Sequence, residues 1–98
     1  MEFSGFDWDD GNRAKCLKHG VSIDAIESLF RRGLMILPDE EHSQKERRFR
    51  AVGRTEQGRA TFVVFTLRRH GINLLIRPIS ARYMHKKEAE HYVQTYET

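Results

Sequence analysis

The run ATFVVFTL at residues 60–67 limits the possible folds more than any other stretch of the chain. It is apolar on both alternations, so as a strand it has no face to turn to water and needs cover on each side; this places it at the centre of a sheet. Its neighbours supply the rest of that sheet. RRHG (68–71) predicts a hairpin turn into INLLIRPIS (72–80), and EQGR (56–59) predicts a turn back to RRFRAVGRT (47–55). In that preceding strand Phe49 and Ala51 face one way and Arg48, Arg50 and Arg54 the other. LMILP (34–38) adds one more strand, broken by Pro38 and the acidic loop DEEHSQKE (39–46).

Pro78 interrupts the last strand. Without an amide hydrogen it fits only at a sheet edge or a bulge, and a bulge re-aims its neighbours. Arg77 and Ser80 therefore flank an expected break in the ladder.

Helices bracket the sheet. In WDDGNRAKCLKHG (8–20), Asp9 or Asp10 can cap a short helix that Gly20 ends. VSIDAIESLFRRG (21–33) offers Ser22 as N-cap, Ile26, Leu29 and Phe30 as an apolar stripe, and Gly33 as the stop. MHKKEAEHYVQTYE (84–97) carries Ala89, Tyr92, Val93 and Tyr96 at helical spacing. The expected class is α+β: two N-terminal helices, about four antiparallel strands and a C-terminal helix. At 98 residues this is a single domain, 1–98.

Composition narrows the function. No apolar stretch approaches the ~20 residues of a membrane span, and the acidic start MEFSGFDWDD is unlike a secretory signal. A soluble, cytoplasmic protein with no membrane partner is expected. Cys16 is the single cysteine, which excludes an internal disulfide and a multi-cysteine metal centre. His42, His70 and His91 show no ligand spacing, so neither a metal nor another cofactor is expected. A glycine-rich phosphate loop and a G-x-S-x-G elbow are both missing, against nucleotide hydrolysis and serine-hydrolase chemistry.

The charge is unevenly placed. Residues 1–44 hold five basic and nine acidic side chains, and residues 45–98 hold twelve and five. A basic second half suits a polyanion, although solvated strand and helix faces also carry Arg and Lys.

RPISARYM (77–84) and the residues after it concentrate the chemistry. Downstream of Arg77 and Ser80, Arg82, Tyr83, His85, Lys86 and Lys87 crowd a strand-to-helix junction, where free amides of a helix start favour an anion. Cleaving RNA without a metal needs a proton acceptor for the 2′-OH, a donor for the leaving 5′-oxygen, and cations for the charge on phosphorus. His, Lys or Tyr can serve the first two tasks, and Arg the third. KHG (18–20) is the second candidate, since a helix C-terminus stabilises a cation near Lys18 and His19. Structural uses compete throughout: arginines pair with surface acids, Ser80 bonds locally, Tyr83 packs on the core, and KHG caps a helix.

Three segments, FDWDDGNRAKCLKHGVS (6–22), HS…ERRFRAVGRT (42–55) and LLIRPISARYMHKKEAEHY (74–92), resemble the BrnT family of toxins from bacterial type II toxin-antitoxin modules. The resemblance implies a RelE-like fold and a ribonuclease that arrests translation. It also implies a BrnA-like ribbon-helix-helix antitoxin that sequesters the toxin and binds the shared promoter, so that promoter DNA is met only through the complex. The family pattern falls on Trp8, Asp9, Lys18, His19, Gly20, Val21, Glu46, Arg48, Gly53, Ile79, Ser80, Ala81 and Arg82, with Trp8, Gly20 and Gly53 assigned to structure. The first helix departs slightly from the commoner form, with one residue fewer between Trp8 and the Lys-His pair, and Cys16 where many members have Asn.

The expected function is a metal-independent endoribonuclease. Its catalytic candidates are Lys18, His19, Arg77, Arg82 and Tyr83; Arg48, Arg54, Ser80, His85 and Lys86 are candidates for holding RNA phosphates. Two alternatives stand beside it: a catalytically inactive toxin-like module that holds an antitoxin in promoter repression, and a generic RNA-binding domain. Against the last, the aromatic residues are spread over core positions and line no single strand face.

Overall fold

The structure is a computed structural model that describes residues 2–40 and 45–97, with backbone only at 96 and 97. His42, in the acidic loop, lies outside the described residues. The elements in chain order are β1 (Gly5–Phe6), α1 (Asp10–Leu17), α2 (Ile23–Arg32), β2 (Met35–Pro38), β3 (Phe49–Arg54), β4 (Ala60–His70), β5 (Asn73–Tyr83) and α3 (Lys86–Tyr92). A π-helical turn, Val93–Glu97, continues from α3. The strands form one sheet in the order β1-β5-β4-β3-β2. The α+β class is as expected, but there are five strands, and the added β1 runs parallel to β5. Two residues are too short to show a strand period, so β1 becomes visible only through the bonds Ser4 N–H to Leu74 O and Asp7 N–H to Ile76 O, both 2.8 Å.

The ATFVVFTL run occupies the sheet centre, within β4, between β3 and β5. Val63 and Phe65 meet Cys16 of α1, Val21, and Ala25, Ile26 and Leu29 of α2 in the main core, joined by Ala51 of β3 and Ile76 and Ala81 of β5. Phe65 is fully buried and takes Phe30 edge-on at 5.1 Å and Phe49 stacked at 5.5 Å. Truncating such a ring to alanine costs about 3–5 kcal/mol. Burial pushes the Cys16 thiol up to about 11, as befits a packed cysteine. Gly53 permits a close approach: a Cβ there would lie 3.2 Å from Leu34 Cβ and 3.3 Å from Leu29 Cδ2, so α2 and its exit sit directly on β3.

The helix ends follow the expected capping. Asp9 Oδ1 accepts from Asn12 N–H at 3.0 Å, Ser22 Oγ accepts from Ala25 N–H at 3.0 Å, and Gly33 N–H closes α2 on Leu29 O. The β4–β5 turn is tighter than RRHG implied. β4 runs through His70, and Gly71–Ile72 alone make the turn; Gly71 has φ +63° with no positive-φ residue after it, the type II′ arrangement.

The break expected at Pro78 is present. Val64 pairs with Ser80 and Phe65 with Pro78, leaving Ile79 as the extra residue of a β-bulge. The carbonyls of Leu74, Ile76 and Pro78 follow one another along the outer edge of β5. Ser4 and Asp7, the residues flanking β1, take the first two, and the Asn12 side-chain amide takes the third at 2.8 Å. Carbonyl and amide of one strand residue share an edge, so the missing N–H of Pro78 falls where no ladder bond is due.

Candidate functional site

The bulge decides which face the basic residues share. Arg77 and Arg82 are an odd number of positions apart, which in a regular strand puts them on opposite faces. Ile79 absorbs one residue. Arg77 then pairs with Thr66, Ser80 with Val64, and Arg82 with Phe62, all on the sheet face turned away from α2 and the main core. Arg50, Val52 and Arg54 of β3 share that face, since Arg50 pairs with Val64, Val52 with Phe62 and Arg54 with Ala60. Tyr83 pairs with Thr61 and packs toward the main core, where Arg59 stacks on its ring at 3.6 Å.

At the Arg77 end the face opens into a cavity of about 240 Å³. Gly11, Asn12 and Lys15 of α1, Glu46 and Arg48 of the segment before β3, Arg68 of β4, and Arg77 and Ile79 of β5 border it. Four cationic side chains and one carboxylate thus converge from four parts of the chain. Glu46 Oε2 lies 2.6 Å from Arg68 Nη1, and Glu46 Oε1 lies 3.6 Å from Arg48 Nη2. The hydrogen bond from Arg68 is the main cause holding the Glu46 carboxyl below its usual range. The segment carrying Glu46 is itself pinned to β4, where Thr66 Oγ1 donates to Arg47 O at 2.7 Å.

Arg77 is set by the N-terminus of α1. Its Nη2 lies 2.8 Å from Asp9 Oδ2 and its Nη1 3.6 Å from Asp7 Oδ2. Asp9 therefore caps α1 with one oxygen and orients Arg77 with the other. The Asn12 amide, then Arg77, lower its pKa. Asn12 is 3% exposed and ties the corner together: Oδ1 accepts from Asp9 N–H at 2.7 Å, and Nδ2 donates to Asp7 O at 2.9 Å and to Pro78 O.

The Arg82 end is arranged differently. Arg82 Nη1 and Nη2 meet the two carboxylate oxygens of Glu88 at 2.7 and 2.9 Å, a bidentate pair. The same Glu88 accepts from His85 N–H at 2.9 Å. These two contacts, Arg82 first, pull its carboxyl down to about 2. The anion that the strand-to-helix junction was expected to hold is thus an internal one, the third residue of α3. The Arg82 guanidinium also lies over Phe62, 5.0 Å from the ring centre.

The remaining candidates divide by place. Arg48 joins Arg77 at the cavity, and Ser80 lies on the same face between the two ends. Arg54 donates to Gly58 O at 2.8 Å and lies over Tyr92, while His85 and Lys86 are exposed at the start of α3. Lys18, the C-cap of α1, and His19 after it are exposed, and neither is among the residues bordering the cavity. The fold does not bring them to the cavity that Arg77 borders.

Lys15, Glu46 and Arg68 border the cavity but were not among the candidate site residues. Arg68 falls in RRHG, where a turn is expected, although the polar alternation Thr66, Arg68, His70 continues the strand period. Lys15 lies one turn beyond Asn12 on α1, a relation with no meaning until Asn12 is known to face β5. Among the described residues no group of three or more His, Cys, Asp or Glu is placed to hold a metal ion, and no helix is long and apolar enough to cross a membrane.

Fold and site together define a small α+β protein with a cavity bordered by four cationic side chains. Residues 8–88 match the family model described as the ribonuclease toxin BrnT of type II toxin-antitoxin systems. The chain belongs to that family. No curated protein matches the sequence. Membership brings RNA as the substrate and an antitoxin as the partner.

Proposed function

We propose that this chain is a metal-independent endoribonuclease, a single toxin domain acting in the cytoplasm, which binds an RNA phosphodiester at the cavity between α1 and the Ile79 bulge. The convergence of Lys15, Arg48, Arg68 and Arg77 on one space carries this reading. Cations aimed at a phosphate stabilise the charge that grows on its oxygens during cleavage, and the same cations repel a divalent metal. The cavity is small beside pockets of roughly 300–1,000 Å³ that enclose whole drug-sized ligands, which suits one phosphate and its ribose entering from a strand laid on the surface. Ser80 and Arg82 extend the basic face, and Arg54, His85 and Lys86 form its rim beside α3. Proton transfer falls to groups at the cavity in preference to Lys18, His19 and Tyr83, because acid and base must come within hydrogen-bond reach of one reacting centre.

In the cell this activity cuts RNA and halts translation until a BrnA-like ribbon-helix-helix antitoxin covers the toxin, and the complex represses its own promoter. The test is purified chain on an RNA oligonucleotide in EDTA, paired with expression in a bacterium that lacks the antitoxin. Cleavage and growth arrest, both lost in Arg77→Ala, are expected. Antitoxin binding without cleavage would instead establish the inactive promoter-repressing module.

A further inference from the structure

We propose that Glu46 is the general base that takes the proton from the attacking 2′-hydroxyl. This inference rests on the ribonuclease reading above and adds the group that starts the reaction. Glu46 is the only carboxylate among the described residues that border the cavity. It is partly exposed, with 28% of its side-chain surface open, so a hydroxyl can reach it. A purely structural Glu46 would tie its segment to β4, but Thr66 already does so through Arg47 O.

The surrounding charges fit the task. Arg48 flanks Glu46 in its own segment, Arg68 approaches from β4, Arg77 from β5 and Lys15 from α1, all bordering one space. Asp7 and Asp9 are the nearby carboxylates on Arg77, and neither borders the cavity. A phosphate drawn in by these cations competes for Arg68 and Arg48. As they turn to the phosphate oxygens, Glu46 loses the partners that hold its proton affinity down and becomes a better base where it is needed.

The step balances within the substrate. Glu46 accepts the 2′-OH proton, the 2′-oxygen lone pair forms a bond to phosphorus, and the P–O5′ bond breaks with its electron pair passing to the 5′-oxygen. That oxygen takes a proton from Lys15, leaving a 2′,3′-cyclic phosphate and a 5′-hydroxyl. Transfer of the proton from Glu46 to Lys15 through solvent resets the site.

The experiment compares the full-length chain with Glu46→Gln and Glu46→Asp on an RNA oligonucleotide in EDTA across pH. Glutamine keeps an oxygen for Arg68 but accepts no proton. Its kcat should fall by about 10²–10⁴-fold while KM changes little. In the wild type, kcat/KM should decline on the acid side as Glu46 protonates, and the products should end in 2′,3′-cyclic phosphate. Glu46→Gln should lack that acid limb, and Glu46→Asp should keep it at a reduced rate. Wild-type-like turnover in Glu46→Gln, or an acid limb that survives in it, overturns the assignment and leaves the ribonuclease reading intact. Should Glu46→Gln fail to fold, a wild-type profile flat on the acid side overturns it just as well. A wild type that cuts no RNA removes the ribonuclease reading, and the base with it.

Discussion

Arg77 and Arg82 lie on the same strand and the same sheet face, and each is paired with carboxylate, yet the two ends of that face differ in kind. Arg77 makes one short bond, to Asp9, and borders a cavity with three other cations. Arg82 gives both its terminal nitrogens to Glu88, six residues away in the chain, in the first turn of α3. One arginine is aimed by its partners, and the other is filled by its partner. A basic motif in a sequence therefore does not say whether its charges await a ligand; that depends on how many donors the fold leaves unspent.

The strongest test of this contrast replaces each arginine in turn. Arg77→Ala should reduce RNA cleavage by about 10²–10³-fold, the scale for removing one donor to a developing oxyanion. Arg82→Ala should cost less than about tenfold, since its guanidinium already serves Glu88. Equal losses at both positions would erase the distinction.

Asn12→Ala attacks the scaffold at the Arg77 end. It strips partners from the carbonyls of Asp7 and Pro78 and from Asp9 N–H, and each buried group left unsatisfied costs ~1–3 kcal/mol. The chain should lose roughly 2–4 kcal/mol, read from a lower urea midpoint at unchanged slope. Cys16 reports the same event, because its buried, high-pKa thiol should react with a thiol reagent at neutral pH only when α1 lifts away.

Glu88→Gln loosens the other end and should be milder. Both side chains of the pair are more than a third exposed, so solvent screens it and the loss of stability should stay below about 1 kcal/mol. Freed from its carboxylate, Arg82 should raise RNA affinity a few-fold and steepen the salt dependence of binding by about one counterion. Unchanged affinity would show that Arg82 is structural only.

The smallest effect is a pH response. Glu88 has a folded-state pKa of about 2, below its ordinary value of 4.5. A depressed carboxylate contributes its stabilisation fully above the ordinary value and loses it as pH falls through the folded one. Protection factors of the α3 amides, corrected for the intrinsic exchange rate at each pH, should therefore hold at pH 5 and fall as the pH approaches 2, and Glu88→Gln should flatten that dependence.

Much of the fold was legible along the chain. The two-sided apolar run located the central strand, Ser22 and Gly33 bounded α2, and Pro78 marked the bulge, because strand burial, capping and a missing amide act over a few residues. β1 was not legible, since its two residues pair with a strand seventy positions away. The site was half legible: Arg77 and Arg48 were candidates, but Lys15, Glu46 and Arg68 acquire a meeting point only when α1 and the Glu46 segment converge on the face of β4 and β5.

The sequence by itself determined most of the helices and strands, that the second half is basic, and that Pro78 had to sit at a sheet edge or a bulge; each follows from periodicity, charge and backbone chemistry within one segment. Tertiary structure alone decided which arginines border the cavity. The phase set by Ile79, the carboxylate that Glu88 brings to Arg82, and the approach of α1 to Arg77 are relations between segments, and no local pattern encodes the distance between groups that only folding brings together.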